Sequence, residues 1–153
     1  MTRITLPLAV LLLTVASPAR AEEKKINAAV VSVVKDEKGC PRDLGYIVQK
    51  DGESDKAAGE RLQSEFPEKK GVTRSIAYKD NYKKNKFVGT YVVVLRSKTE
   101  IKRTDTCSGI GFGVGFGADE PSAKADALAM LGRSWINFEA AKHGVDILLS
   151  EKR

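Results

Sequence analysis

Short β-branched runs and helix-spaced apolar stripes follow one another along this chain in an order that occurs twice. Residues 28–34 read Ala-Ala-Val-Val-Ser-Val-Val, which predicts a buried strand, and the polar stretch Lys35-Asp36-Glu37-Lys38-Gly39 then predicts a turn. A second strand is expected over Leu44 to Gln49. Asp51-Gly52-Glu53-Ser54 supplies turn chemistry and a helix cap, after which Ala58, Leu62 and Phe66 recur every four residues until Pro67. This predicts a short amphipathic helix, weakened by Gly59. Thr73 to Tyr78 reads as a strand, and Lys79 to Lys86 as a polar loop.

The order then starts again. Thr90 to Leu95 is the strongest strand signal in the chain, followed by a charged segment through Asp105. In the next strand Gly109, Gly111, Gly113, Gly115 and Gly117 alternate with Ile110, Phe112, Val114 and Phe116, so one face is bare backbone and the other apolar. Asp119-Glu120-Pro121-Ser122 marks a helix start, and Leu128, Leu131, Trp135 and Phe138 carry the helical period to about Lys142, with Gly144 as a left-handed cap. Val145 to Leu149 predicts a closing strand.

Each half thus has a strand, a cysteine, a strand, a helix and a strand. Cys40 precedes Ser54 by 14 residues and Cys107 precedes Ser122 by 15. The expectation is an α+β domain with an antiparallel or mixed sheet and two helices packed on one face. It is built either as duplicated strand-strand-helix-strand halves linked by a disulfide or as a single α-β sandwich from the same elements. Cys40 and Cys107 are the only cysteines; their spacing fits neither a C-x-x-C redox pair nor a zinc site, and a structural Cys40–Cys107 bridge is expected.

That bridge implies an oxidising compartment, and the N-terminus agrees. Arg3 is followed by an apolar run to Ala16 and by Ser17-Pro18-Ala19-Arg20-Ala21, which ends in the A-x-A pattern of a cleavage site. Residues 1–21 are read as a cleavable signal peptide and 22–153 as one domain, periplasmic or secreted, with no membrane span after cleavage. The 26 basic and 20 acidic residues give +6; the leader takes Arg3 and Arg20 with it and leaves 24 against 20, or +4. A mild positive charge maintains solubility and permits anionic partners without requiring them.

Motifs with defined chemistry are scarce. The odd-position glycines fail the G-x-G-x-x-G dinucleotide fingerprint on parity, and no P-loop is present. The bare glycine face instead suggests a close neighbour, with a ligand lying across it as the alternative. Gly132-Arg133-Ser134-Trp135-Ile136 lacks the last glycine of a nucleophile elbow. His143, the only histidine, is placed at a helix end, where an imidazole bonds the last carbonyls. No catalytic residue, cofactor or metal site is assigned. Two basic segments remain. Arg74, Lys79, Lys83, Lys84 and Lys86 interleave with Tyr78 and Tyr82, and Arg96, Lys98, Lys102 and Arg103 follow further on. Together they could contact a polyanion through phosphate or sulfate and through stacking; as a solvated loop and a strand edge they need no ligand. The leading expectation is an exported non-enzymatic protein that binds another protein, as inhibitor, immunity factor or assembly accessory. The alternative is a polyanion-binding module for lipopolysaccharide, acidic glycan or nucleic acid. A carboxylate-based hydrolase is third.

Overall fold

The computed structural model describes residues 23–35 and 40–153; the predicted leader and the turn over residues 36–39 lie outside the described residues. The N-terminal half consists of β1 (Asn27–Lys35), β2 (Arg42–Val48), α1 (Asp55–Glu65) and β3 (Thr73–Asp80). A short hairpin, β4 (Tyr82–Lys83) and β5 (Lys86–Phe87), leads into the C-terminal half. This comprises β6 (Tyr91–Ser97), β7 (Ile101–Lys102), β8 (Ser108–Gly109), β9 (Phe112–Gly117), α2 (Glu120–Ser134), α3 (Ala140–His143) and β10 (Val145–Lys152).

Each half folds into a three-stranded antiparallel sheet with the same path. The first strand is central, and the second and third pair on either side of it, in the orders β2-β1-β3 and β9-β6-β10. A helix joins the second strand to the third in both. The repeat read along the sequence is therefore a repeat of topology. Cys40 and Cys107 form a disulfide with Cα atoms 5.4 Å apart, in the connection between the first two strands of each half.

Both faces of the central strands are apolar, so each sheet has two surfaces to cover. Ala28 and Val30 of β1 turn inward with Val48 and meet Val92, Val94, Val114 and Phe116 of the other sheet. The alternate residues Ala29 and Val31 turn outward with Ile47 onto Leu62 of α1, as Val93 and Leu95 turn onto Ala123 and Ala127 of α2. The two expected helices therefore do not share one face: each covers the outer face of its own sheet, and the two sheets pack on each other between them.

Local chemistry sets the helix limits. Ser54 Oγ accepts from Ala57 N at 3.2 Å to open α1, and Asp119 opens α2 in a capping box with Ser122, with Pro121 in the first turn. The helical stripe was expected to run on to Lys142, but α2 ends at Ser134. Trp135 leaves helical backbone and is fully buried, its indole Nε1 donating to Asp43 Oδ2 at 2.9 Å. The chain re-enters a helix only at α3, whose end is followed by Gly144 with φ of 63°. His143 is buried, and its Nδ1 accepts from Glu139 N at 3.0 Å, so the imidazole caps the start of α3 instead of its last carbonyls.

The segment read as a loop from Lys79 to Lys86 is ordered by two features. Strand β3 runs on to Asp80, and Lys84 and Asn85 take positive φ (50° and 62°) in the tight turn of the β4–β5 hairpin. Asn81 between them is fully buried. Its Oδ1 accepts from Ile26 N at 2.9 Å, and its Nδ2 donates to Lys24 O at 2.8 Å and Gly89 O at 3.1 Å, tying three segments together.

Candidate functional site

The basic residues singled out in the sequence do not converge. Lys83, Lys84 and Lys86 lie in the hairpin that leads into β6, whereas Arg96, Lys98, Lys102 and Arg103 lie at or beyond its far end, roughly 20 Å away along seven strand residues. Several of them already hold structural partners. Arg74 is 8% exposed and binds Phe66 O, Gln63 Oε1 at 2.8 Å and Glu68 Oε1 at 3.2 Å. Lys79 bridges Asp126 at 2.7 Å and Val114 O at 3.1 Å. Arg96 and Lys98 share Asp146 at 3.0 and 3.8 Å, Lys102 meets Asp105 at 2.9 Å, and Arg103 lies 5.1 Å over the Trp135 ring. Lys83 reaches Asp126 only at 3.8 Å and is exposed, as are Lys84 and Lys86 at the hairpin turn.

The glycine face is likewise accounted for by packing. A Cβ at Gly113 would overlap Ala127 O, one at Gly115 would overlap Ala123 O and Ala127 N, and one at Gly117 would overlap Ser122. Helix α2 lies directly on this face through Ala123 and Ala127, which leaves no room for a ligand there.

What distinguishes one region is the treatment of sheet edges, which present unpaired backbone groups unless blunted. On β9 the outward amides are satisfied by side chains: Phe112 N donates to Asp43 Oδ2 at 2.9 Å, Phe116 N to Asp126 Oδ2 at 3.0 Å, and Val114 N points at Met130 Sδ, 3.4 Å away. The Val114 carbonyl takes the Lys79 ammonium. Strand β10 is bulged between Ile147 and Leu149, and β2 is bulged opposite Val31/Ser32, with its Val48 carbonyl accepting from Arg61 Nη2 at 2.9 Å. Strand β3 shows neither device beyond Thr73, the register shift in its ladder being an extra residue of β1 at Val34. It pairs with β1 without a bulge from Arg74 to Asp80. The Asn81 N to Ile26 O bond fixes the alternation, so that the amides of Arg74, Ile76 and Tyr78 face outward, and no partner for them occurs among the described residues. Ser75 and Ala77 are exposed, and Tyr78 is 73% exposed.

Beside this edge a groove of about 670 Å³ runs between α1 and β3. Its α1 wall is Asp55, Ala58, Gly59 and Leu62, spaced to share one helix face; Ala29 and Ile47 form the floor, and Tyr78 and Tyr82 the opposite rim. The second half shows why it is open. Positions on β2 opposite Ala29 and Val31 are Ile47 and Gly45, whereas those on β9 opposite Val93 and Leu95 are Gly115 and Gly113. Counted from the caps Ser54 and Asp119, Leu62 of α1 stands where α2 has Ala127. A leucine over an isoleucine holds α1 off its sheet, while an alanine over a glycine lets α2 close onto its own.

Outside the groove, an ion pair ties the turn before α1 to the helix. Glu53, 12% exposed against 21% for Arg61, takes Arg61 Nε and Nη2 at 2.9 Å each and Lys50 N at 2.7 Å. The Arg61 guanidinium, and then the Lys50 amide, hold its carboxyl down at about 2 against an ordinary 4.5. Because the folded value is the lower one, this stabilisation is complete above pH 4.5 and is lost as the pH falls through about 2. Glu53→Gln should therefore flatten the dependence of the urea midpoint on pH between those values; an unchanged slope would show that other carboxylates set it. Burial pushes the Lys79 ammonium down from its usual value despite Asp126. Burial would push Asp126 up, yet Lys79, the Phe116 amide and Lys83 together hold it below the usual carboxylate value.

Asp43, Asn81 and Asp126 carried no sequence signal of their own, because their roles depend on partners distant in the chain. No group of three or more His, Cys, Asp or Glu converges to hold a metal ion among the described residues, nor is any helix there long and apolar enough to cross a membrane. The disulfide points to an oxidising, non-cytosolic setting. Compared with known protein families, with curated proteins and with solved structures, the chain matches none.

Proposed function

We propose that this is an exported, non-enzymatic binding protein of the periplasm or extracellular space, which acts on another protein by taking an extended segment of it as a fourth strand against β3. The observation that carries this reading is the contrast among edges: β2, β9 and β10 are bulged or capped by side chains, whereas from Arg74 to Tyr78 β3 keeps a row of outward amides with no partner among the described residues, beside small exposed residues. Strand addition draws its affinity from such a row and its specificity from neighbouring pockets, and the α1–β3 groove adjoins it.

Ile76→Pro removes one outward donor without touching the ladder to β1, and Ile76→Ala removes the same apolar side chain while keeping the amide. With the oxidised protein immobilised against periplasmic and extracellular extracts, a protein retained by Ile76→Ala and lost by Ile76→Pro is the expected result. Equal retention by the two variants would remove β3 from the reading. The polyanion alternative keeps Lys83, Lys84 and Lys86 at the hairpin turn. Salt-sensitive heparin binding lost on charge reversal of Lys84 and Lys86, with no protein retained, would favour it instead.

A further inference from the structure

Gly59 has no role in the fold that would account for it. It sits in the interior of α1, where glycine costs about 1 kcal/mol relative to alanine, and a Cβ at this position would meet nothing within 4 Å. Its φ is not in the left-handed region, so no backbone conformation calls for glycine. The equivalent position of α2, five residues past the cap, is Lys124. Gly59 does line the α1–β3 groove together with Ala58 and Ala29, so its missing side chain leaves the groove wider along this face of the helix.

The charges lining this groove are unevenly matched. Lys25 faces Asp80 at 3.5 Å, and Lys79 is held by Asp126 at 2.7 Å. The Asp55 carboxylate accepts only from amides, Asn27 Nδ2 at 2.9 Å and Gln49 Nε2 at 3.1 Å, and no cation among the described residues pairs with it. Those two amides hold Asp55 Oδ1 in place, and besides them its charge meets only the start of α1. Tyr78 and Tyr82 on the opposite rim present rings of the kind that favour a cation.

From this we infer that the groove receives a long basic side chain, arginine or lysine, carried by the partner segment that pairs with β3. The aliphatic stem lies over Gly59, Ala58 and Ala29, and the charged head meets Asp55 beside the tyrosine rims. This inference rests on the strand-addition reading and adds to it the residue type that the partner must supply.

The test uses the oxidised protein and capped heptapeptides of alternating threonine and valine, with arginine, norleucine or glutamate at the centre, titrated by NMR. The arginine peptide should bind roughly tenfold more tightly than the norleucine peptide, the size of one charge-assisted contact, and should shift the amides of residues 55–62 as well as those of β3. Gly59→Leu should melt no lower than the parent, since leucine is the better helix former, yet should lose the arginine preference. Asp55→Asn should bring the arginine peptide to the norleucine level. If the three peptides bind alike and Ile76→Pro abolishes all binding, strand addition stands and the groove has no such role. If the parent binds none of them, or if Ile76→Pro binds as the parent does, both readings fall.

Discussion

Replacing Gly115 by alanine is expected to destabilise the protein by about 3 kcal/mol, near the upper end of what overpacking costs. The added methyl would overlap the Ala123 carbonyl oxygen and the Ala127 amide. Both obstacles are helix backbone, so no side chain can rotate away, and α2 would have to lift from β9. Lifting it would also loosen Ala123, Ala127 and Leu131 from the sheet and draw Asp126 away from the Phe116 amide. Some of the loss is offset because alanine restricts the unfolded chain, an effect of about 0.4–1 kcal/mol. Gly132→Ala is the control. It lies in α2 itself, its Cβ would meet nothing within 4 Å, and better helix propensity should stabilise by up to about 1 kcal/mol. Thermal melts followed by circular dichroism should move in opposite directions for the two variants, Gly115→Ala falling by on the order of 10 °C. Melts that rise together would mean that α2 does not rest on the glycine face.

Removing the disulfide through Cys40→Ser and Cys107→Ser should cost about 4 kcal/mol, the loop-closure entropy of a link spanning 67 residues. The position of the link matters as well as its length. It fastens the β1–β2 connection of one half to the β6–β9 connection of the other, so in the unfolded chain it keeps the two repeats close. The folded contacts between the halves, such as Asp43 with Trp135 and the Phe112 amide, remain available without it. The double variant should therefore keep the parental far-ultraviolet spectrum while its urea midpoint drops steeply. A midpoint within the error of the parent's would mean that native-state strain cancels the entropic gain.

The two halves also show how one architecture yields a closed and an open version of the same interface. Alanines over glycines bring α2 onto its sheet. Leu62 over Ile47, with Gly59 beside it, leaves a groove under α1. The open version adjoins the edge of β3, whose outward amides have no partner among the described residues, which is why the proposed site lies in the N-terminal half.

Much of the architecture was legible in the sequence because it is local. β-Branched runs and a period-four stripe place β1, β2, α1, β3, β6 and β10 within a few residues of their observed limits, and Ser54 and Asp119 announce the helix starts through hydroxyl and carboxylate capping. The even spacing of the glycines marked a face built for close approach, and two lone cysteines whose spacing suits neither a redox pair nor a zinc site implied their bridge. Tertiary structure alone decided the rest. A run apolar at every position, such as Ala28 to Val31, does not say which face meets a helix and which a second sheet. Trp135 keeps the helical period, yet it leaves α2 because Asp43, 92 residues away, accepts its indole N–H. The same applies to the cations: Lys79 and Arg74 look like surface charges until the fold brings Asp126 and the end of α1 against them. Pattern records which side chains need burial or a partner. Which partner answers is set by contacts between residues far apart in sequence, and those contacts cap β9 and leave the edge of β3 open.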